Sequence, residues 1–409
     1  MYAVFLVWNI IAFILANNKD DDGNNSASAE GGLNHTGGHG NRTDEKWPSA
    51  LPYTFTPMPT EDNTTDSDTI TPVYRFPKFV AAAPLTPVPT TTTCDSTFRR
   101  AKSPNEVVYI TIDDGPSASG RINLLNVLTQ INNRTDKAGK PVTPAYVSFM
   151  ESGYNFCGPE TIDMTMLQCV PGAYEQARRS LVWTIKAGHT ICAHSDTHFY
   201  DATSGFCNYQ KMNAQTKIEA QYLNCGNTTA SDFVRGALRV QTALDNETLW
   251  ETDDDRAAWK KAISTLWTYA RLPCTNEWIL PGVRTVTGLR REDQGAEGDL
   301  RMKTGDMMFA GKLPCKNDTK PWYSIGWDAE WRLDAKTTYD NQKEKCRVVK
   351  DITNQFDRKD KWGPKPSNVV LLTHDYFFLD MAKATIFRDI IVELQLLGYT
   401  MGTIDKYPI

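Results

Sequence analysis

The sequence lacks any excess of positive charge: 44 Lys and Arg stand against 49 Asp and Glu, for a formal net charge of −5. The acidity gathers near one end, with ten acidic and three basic residues between positions 19 and 68, so the rest of the chain carries about +2. The globular part is thus close to neutral, and no nucleic-acid surface is expected. None of the nine cysteines (94, 157, 169, 192, 207, 225, 274, 315, 346) stands in a Cys-x-x-Cys pair, which excludes zinc ribbons and thioredoxin-like motifs. No GxGxxG-type turn or P-loop follows any apolar run, so a nucleotide-binding doubly wound sheet lacks its fingerprint. The apolar stretch Tyr2 to Ala16 falls short of the roughly 20 residues of a membrane span. It is expected to be a signal-peptide core (residues 1–16), with an uncleaved signal anchor as the alternative and as the one route to a membrane.

Beyond Ala16 the chain is a different material. Residues 17–104 are rich in Asn, Gly and Asp and then in Thr and Pro, as in "PLTPVPTTTT", a composition that buries too little apolar surface to offset ordering entropy. A disordered stalk is expected there, with the folded domain at 105–409; the exception is "VYRFPKFV" (73–80), whose aromatic and β-branched residues suit an edge segment packed on the barrel. Asn-x-Ser/Thr sequons begin at Asn24, Asn34, Asn41, Asn63, Asn133, Asn227, Asn246 and Asn317. With the leader and the stalk they imply a secreted glycoprotein, at the cell surface or beyond it, whose cysteines form disulfides. An odd cysteine count leaves at least one thiol over.

After Pro104, apolar runs of strand length alternate with stretches of helical periodicity. The runs are "VVYITI" (107–112), "PAYVSFM" (144–150), "GHTICA" (188–193), "TLWTYA" (265–270), "WYSIGW" (322–327), "NVVLLT" (368–373) and "YTMGTI" (399–404). Strands alternating with helices over about 300 residues predict an α/β fold with a parallel sheet closed toward a barrel. Ionisable residues come directly after several runs: Asp113 and Asp114 after the first, His194 the third, Arg271 the fourth, Asp328 the fifth and His374 the sixth. In a β/α barrel these strand exits share one face, where such proteins keep their chemistry.

"HSDTH" sets His194 and His198 four residues apart, so that on a helical turn both imidazoles would project to one side and share a metal. Two His and one carboxylate with an open position is a catalytic zinc arrangement. Ser195 comes after His194, so this is not the HExxH metalloprotease motif, and the base must come from elsewhere. Adjacent residues at a strand exit point in different directions: one carboxylate of Asp113–Asp114 can bind metal while the other faces water.

"TIDDGP" (111–116), "HSDTH" (194–198), "RLP" (271–273), "WDAEW" (327–331) and "LTH" (372–374) together resemble the five ordered motifs of the polysaccharide deacetylases, the NodB-homology or carbohydrate esterase family 4 enzymes. The resemblance spans roughly residues 105–409 and implies a distorted (β/α)7 barrel. It implies removal of N-acetyl groups from an acetylated polysaccharide such as chitin, chitooligosaccharide or peptidoglycan. By position it makes Asp113 the general base, held ionised by Arg271, Asp114, His194 and His198 the metal ligands, and His374 the general acid. Glu330 is counted with the catalytic residues, Asp328 being the other candidate to support His374. Trp331 and Leu372 would wall the acetyl pocket. Cys274 stands where the family has a Tyr whose backbone N–H helps hold the oxyanion. The fourth motif is one residue shorter than the family's, with Glu330 in the second acidic place. One divalent metal is expected, zinc first, with cobalt, manganese or nickel also suited to such a ligand set. The rival readings are an O-acetyl esterase or small-amide hydrolase on the same scaffold, and an inactive carbohydrate-binding surface protein. The charged run "ETLWETDDDRAAWKKA" between the second and third motifs is expected to be a solvated helical face in an insertion that shapes the substrate groove.

Overall fold

The computed structural model describes residues 76–136, 138–156, 173–201, 206–211, 218–287, 295–332 and 341–409. The leader, the stalk up to residue 75 with its four sequons, and Cys157 and Cys169 lie outside these residues. In chain order the elements are β1 (Val107–Gly115), α1 (Ala118–Asn132), β2 (Ser148–Glu151), α2 (Ala173–Lys186), β3 (Thr190–Ala193), β4 (Tyr200–Asp201), β5 (Phe206–Cys207), α3 (Thr229–Leu244), α4 (Asp253–Leu266) and β6 (Tyr269–Ala270). After these come β7 (Asn276–Leu280), β8 (Val283–Thr287), α5 (Ala296–Ala310), β9 (Tyr323–Ser324), β10 (Ala329–Glu330), α6 (Asn341–Gln355), β11 (Asn368–His374), α7 (Met381–Leu396) and β12 (Thr400–Gly402).

Each of the seven apolar runs contains a strand, and these strands pair in parallel. The ladder runs β10-β11-β1-β2-β3-β6-β9 and continues through the antiparallel pairs β9-β7 and β7-β8. β12 joins β1 at Val107–Tyr109, below the stretch where β1 pairs β2. The result is a curled sheet of the (β/α)7-barrel type, with β10 and β8 at its two ends. On β1, Val108, Ile110 and Ile112 are buried on the outer, helix-covered side, whereas Tyr109 belongs to an interior cluster with Met150, Cys192, Tyr269, Trp278, Ile325, Val370 and Leu372. Burial on both faces explains why the strand reads as an unbroken apolar run. The same alternation turns Thr111 and Asp113 inward, above Tyr109.

The β7–β8 hairpin is an addition to the expected strand order, although Pro281-Gly282 is a turn signal, and Gly282 takes the positive φ of 71° that such a turn asks of glycine. The charged run passes from a short helical turn at Glu247–Leu249 into α4, which is opened by a capping box of Thr252 and Asp255 with three Asp in the first turn, as a helix N-terminus favours.

The domain boundary needs correcting. The chain from Phe76 onward packs on the barrel rather than starting at residue 105. Phe76 is buried against Trp183, whose indole N–H donates to the Pro77 carbonyl. Arg388 of α7 donates to the carbonyls of Thr86 and Pro87, Glu393 accepts the N–H groups of Thr93 and Cys94, and Cys94 is disulfide-bonded to Cys346. Two further disulfides join Cys207 to Cys274 and Cys225 to Cys315. Among the described residues Cys192 is the free thiol, buried in the barrel interior. Asn133, Asn227, Asn246 and Asn317 are all at least partly exposed, and no described helix is long and apolar enough to cross a membrane.

Candidate metal centre and active site

Asp113 and Asp114 end β1 in the way their adjacency suggested. Asp113 continues the inward row and meets Arg271, whose Nη1 donates to Asp113 Oδ1 at 2.8 Å and to Thr111 Oγ1 at 2.6 Å. Arg271 is itself fixed by donating Nε to the Ile325 carbonyl and Nη2 to the Gly326 carbonyl, both at 2.9 Å. The second oxygen of Asp113 lies 3.6 Å from His194 Nε2. Asp114 leaves the strand with φ of 68°, which turns its side chain away from that of Asp113 and toward both histidines.

His194 presents its Nε2 to the carboxylates because Nδ1 lies 2.9 Å from the Arg271 carbonyl, to which it donates. His194 Nε2 is 3.3 Å and His198 Nε2 3.1 Å from Asp114 Oδ1. The two imidazoles do not share a helical turn. Residues 194–198 are irregular, with left-handed φ at Ser195 (69°) and His198 (58°). That shape is imposed from α3: Asp232 Oδ2 accepts the N–H groups of Asp196 and Thr197, each at 3.0 Å, while Ser195 Oγ accepts that of His198 at 2.9 Å. Gly236 allows the helix this close, since a Cβ there would stand 2.3 Å from the Ser195 carbonyl oxygen. Arg239 locks the loop from below by donating to Asp196 Oδ1 at 2.7 Å. Five of the six non-glycine residues with positive φ among those described (Asp114, Ser195, His198, Phe199, Cys274) lie at this site. Such conformations cost about 1–3 kcal/mol each and cluster where function needs them.

His374, at the end of β11, is in register with Asp113, so it stands beside the carboxylate pair. Its Nδ1 is buried without a hydrogen-bond partner among the described residues. Neither acid of the fourth motif reaches it: Glu330 pairs with Arg332, and Asp328 accepts the N–H groups of Gly363 and Val370 and faces Lys361. Trp331 is fully buried, its indole N–H donating to Glu344 and its ring stacked on Phe387, and Leu372 sits in the interior cluster beneath His374. The rings next to His374 are instead Tyr376 and Phe377, with centroids at 5.4 and 5.1 Å, both partly exposed. Cys274, at the motif's Tyr position, is tied to Cys207.

Behind the site, buried Arg121 bridges Glu151 at 2.9 Å and Asp375 at 2.7 Å, and Asp375 also accepts the Ser117 hydroxyl at 2.5 Å. Asn155 donates to the carbonyls of Asp114 and Gly115. These fixed groups hold the β1 exit. They belong to no motif, and nothing in the chain's local pattern marks them.

The donor set fits a divalent ion. One ligand atom each from Asp114, His194 and His198 lies within 4.8 Å of the others. Asp114 Oδ1, close to both ring nitrogens, is buried and makes a hydrogen bond with neither. Burial opposes the charge of Asp114, yet the imidazoles of His198 and His194 hold its carboxyl well below the usual range. Burial likewise opposes a proton on His194, and Asp113 and Asp114 outweigh it. A cation is the species such a carboxylate-rich, inward-facing set favours. Side-chain exposure rises from 2% at His194 and 4% at Asp113 to 10% at Asp114 and 19% at His198, so among the described residues the group is most open on the His198 side.

No protein-family model and no curated protein matches the chain. It is similar to the solved catalytic domain of a peptidoglycan N-acetylglucosamine deacetylase from Eubacterium rectale, at 14% identity over 77% of this chain and 95% of that one, with a TM-score of 0.42. It is also similar to a family 4 carbohydrate esterase from Streptococcus mutans (15%, 73% and 86%, TM-score 0.36). A third is a pseudoenzyme of that family from Bacillus anthracis (14%, 74% and 66%, TM-score 0.32). Likenesses of this degree assign no activity.

Proposed function

We propose that the chain is a metal-dependent hydrolase that removes N-acetyl groups from a polymer of N-acetylglucosamine, acting outside the cell. The observation that carries this reading is the convergence of Asp114, His194 and His198 beside a second carboxylate, Asp113, that a buried arginine holds. Asp114, His194 and His198 would hold one divalent ion, zinc before cobalt, manganese or nickel, and when bound it would polarise an acetyl carbonyl and acidify a water.

The chain's own residues divide the remaining work. Arg271 binds Asp113 Oδ1 and leaves Oδ2 turned toward the His194 side, where it takes the proton of the attacking water. His374, in register with Asp113, delivers a proton to the leaving amine. The backbone N–H of Cys274 contributes to holding the oxyanion, a role that does not depend on the side chain. Tyr376 and Phe377 offer the apolar face of a pyranose a partly exposed aromatic surface.

The test is acetate release from chitooligosaccharides, peptidoglycan fragments and acetylated xylan, with and without chelator. Chelator-sensitive release from the first two supports the reading. Release from xylan alone identifies an O-acetyl esterase, and zinc binding without release from any substrate identifies an inactive relative.

A further inference from the structure

His194 and His198 are supported differently. His194 Nδ1 has a backbone carbonyl at 2.9 Å, the usual outer partner of a metal-binding imidazole. The atom facing His198 Nδ1 is Cys207 Sγ, at 3.7 Å, and that sulfur belongs to the Cys207–Cys274 disulfide. Cys274 is three residues beyond Arg271, so one covalent bond joins the segment after the histidine loop to the loop that carries the Asp113 clamp.

The disulfide is set in a rigid mount. Arg301 of α5, fully buried, donates Nη2 to the Cys207 carbonyl at 3.1 Å and Nη1 to the Cys274 carbonyl at 3.3 Å. Tyr209 donates its hydroxyl to the Pro273 carbonyl at 3.0 Å and stacks on Phe199, the residue after His198, with centroids 3.9 Å apart. Glu297 receives the N–H groups of Tyr209 and Gln210 and pairs with Arg301 at 3.1 Å. His198 and Phe199 both hold left-handed φ, so this end of the loop needs outside support to keep its shape.

We propose that the Cys207–Cys274 disulfide is the positioning element for His198: it backs the Nδ1 face of the ring and thereby aims Nε2 at Asp114. A disulfide sulfur is a weak acceptor, so the support is mainly steric and covalent. The inference rests on the reading of His198 as a metal ligand.

The experiment measures metal affinity directly. Zinc affinity of the full chain is determined by competition with a chromophoric chelator, and the visible spectrum of the cobalt-loaded protein reports ligand geometry. Cys207→Ser/Cys274→Ser should bind zinc about 10- to 100-fold more weakly, the range found when an outer partner of a metal-bound histidine is lost. Its cobalt spectrum should change, and excess zinc should restore acetate release. Cys94→Ser/Cys346→Ser, which removes a disulfide on another face, should keep the wild-type affinity and spectrum. Wild-type affinity and an unchanged spectrum in the folded Cys207→Ser/Cys274→Ser protein overturn the proposal.

Should that variant not fold, the cobalt-loaded native chain is titrated with a phosphine, which with one water reduces each disulfide to two thiols and becomes its oxide. A spectrum that shifts in step with alkylation of Cys207 and Cys274 supports the proposal, and a constant one overturns it. Zinc binding without acetate release defeats the deacetylase reading alone. A wild-type chain that binds no zinc defeats both.

Discussion

Replacing Glu277 by glutamine should stabilise the fold, by an amount that grows with pH. Glu277 sits on β7 with 1% exposure, and neither carboxylate oxygen has a hydrogen-bond partner among the described residues. The side chain lies against Gly305 of α5, where even a Cβ would fall 2.2 Å from Oε2. The cation that acts on it, Arg284, is already engaged with Asp306 at 2.8 Å. Burial therefore pushes the carboxyl from the ordinary 4.5 up to about 8, against a partial pull from Arg284. Because the folded value is the higher one, the unfolded chain ionises first. The favourable state is fully present below pH 4.5 and is lost as pH rises through about 8.

At about 1.4 kcal/mol per pH unit, that gap corresponds to roughly 3 kcal/mol at pH 7 and roughly 5 kcal/mol above pH 8. Total stabilities are about 5–15 kcal/mol, so the effect is large. A buried amide and a buried protonated carboxyl leave comparable polar atoms unpaired. The variant and the wild type should therefore agree to within about 1 kcal/mol at pH 5. Urea melts of both proteins at pH 5, 7 and 9, at one ionic strength, isolate the difference, since every other group titrates in both. A difference that stays flat with pH, or a Glu277→Gln protein that is less stable at pH 9, refutes the reasoning.

Asp113→Asn should retain zinc and lose about 10²- to 10⁴-fold in turnover, whereas Asp114→Asn should bind zinc weakly and recover with excess metal; the opposite pattern reverses the two roles. His374→Ala should behave like Asp113→Asn, with zinc stoichiometry unchanged by titration. Phe377→Ala should lower kcat/KM on chitooligosaccharides about fivefold, the loss of roughly 1 kcal/mol of ring contact, and leave zinc affinity alone. A chain beginning at residue 76 should fold as the full chain does. One beginning at residue 105 should lose the Cys94–Cys346 link, which spans 252 residues and contributes roughly 5–6 kcal/mol by chain entropy, and thermal melts of the two distinguish these outcomes.

The barrel strands were legible because each is buried on two faces and so reads as a continuous apolar run. The short β10 and the β7–β8 hairpin were not: β10 is Ala329–Glu330, set among the acids of "WDAEW", and Asn276, Glu277 and Arg284 interrupt the apolar runs of the hairpin strands. Residues 76–104 misled for a physical reason. Their composition is that of a disordered stalk, and it correctly forecasts that they form no core of their own. Their order comes from groups about 300 residues away, Arg388 and Glu393, which satisfy their backbone from α7. Single-segment composition cannot report a partner supplied by another helix.

The site divides along the same line. Residue types and their order marked the two Asp and two His, because strand exits and short spacings are local properties. The conformation that brings them together is set from outside: Asp232, 36 residues after Asp196, shapes the histidine loop, and the i, i+4 spacing that suggested a helical turn is met by a left-handed loop instead. The same logic accounts for Cys274. Read alone, it is a family aromatic missing from its place. Beside Cys207 it is half of a cross-link between the segment after the histidine loop and the arginine loop, and the rings next to His374 are those of Tyr376 and Phe377. These groups become identifiable as neighbours only when the strand order places their loops on one face.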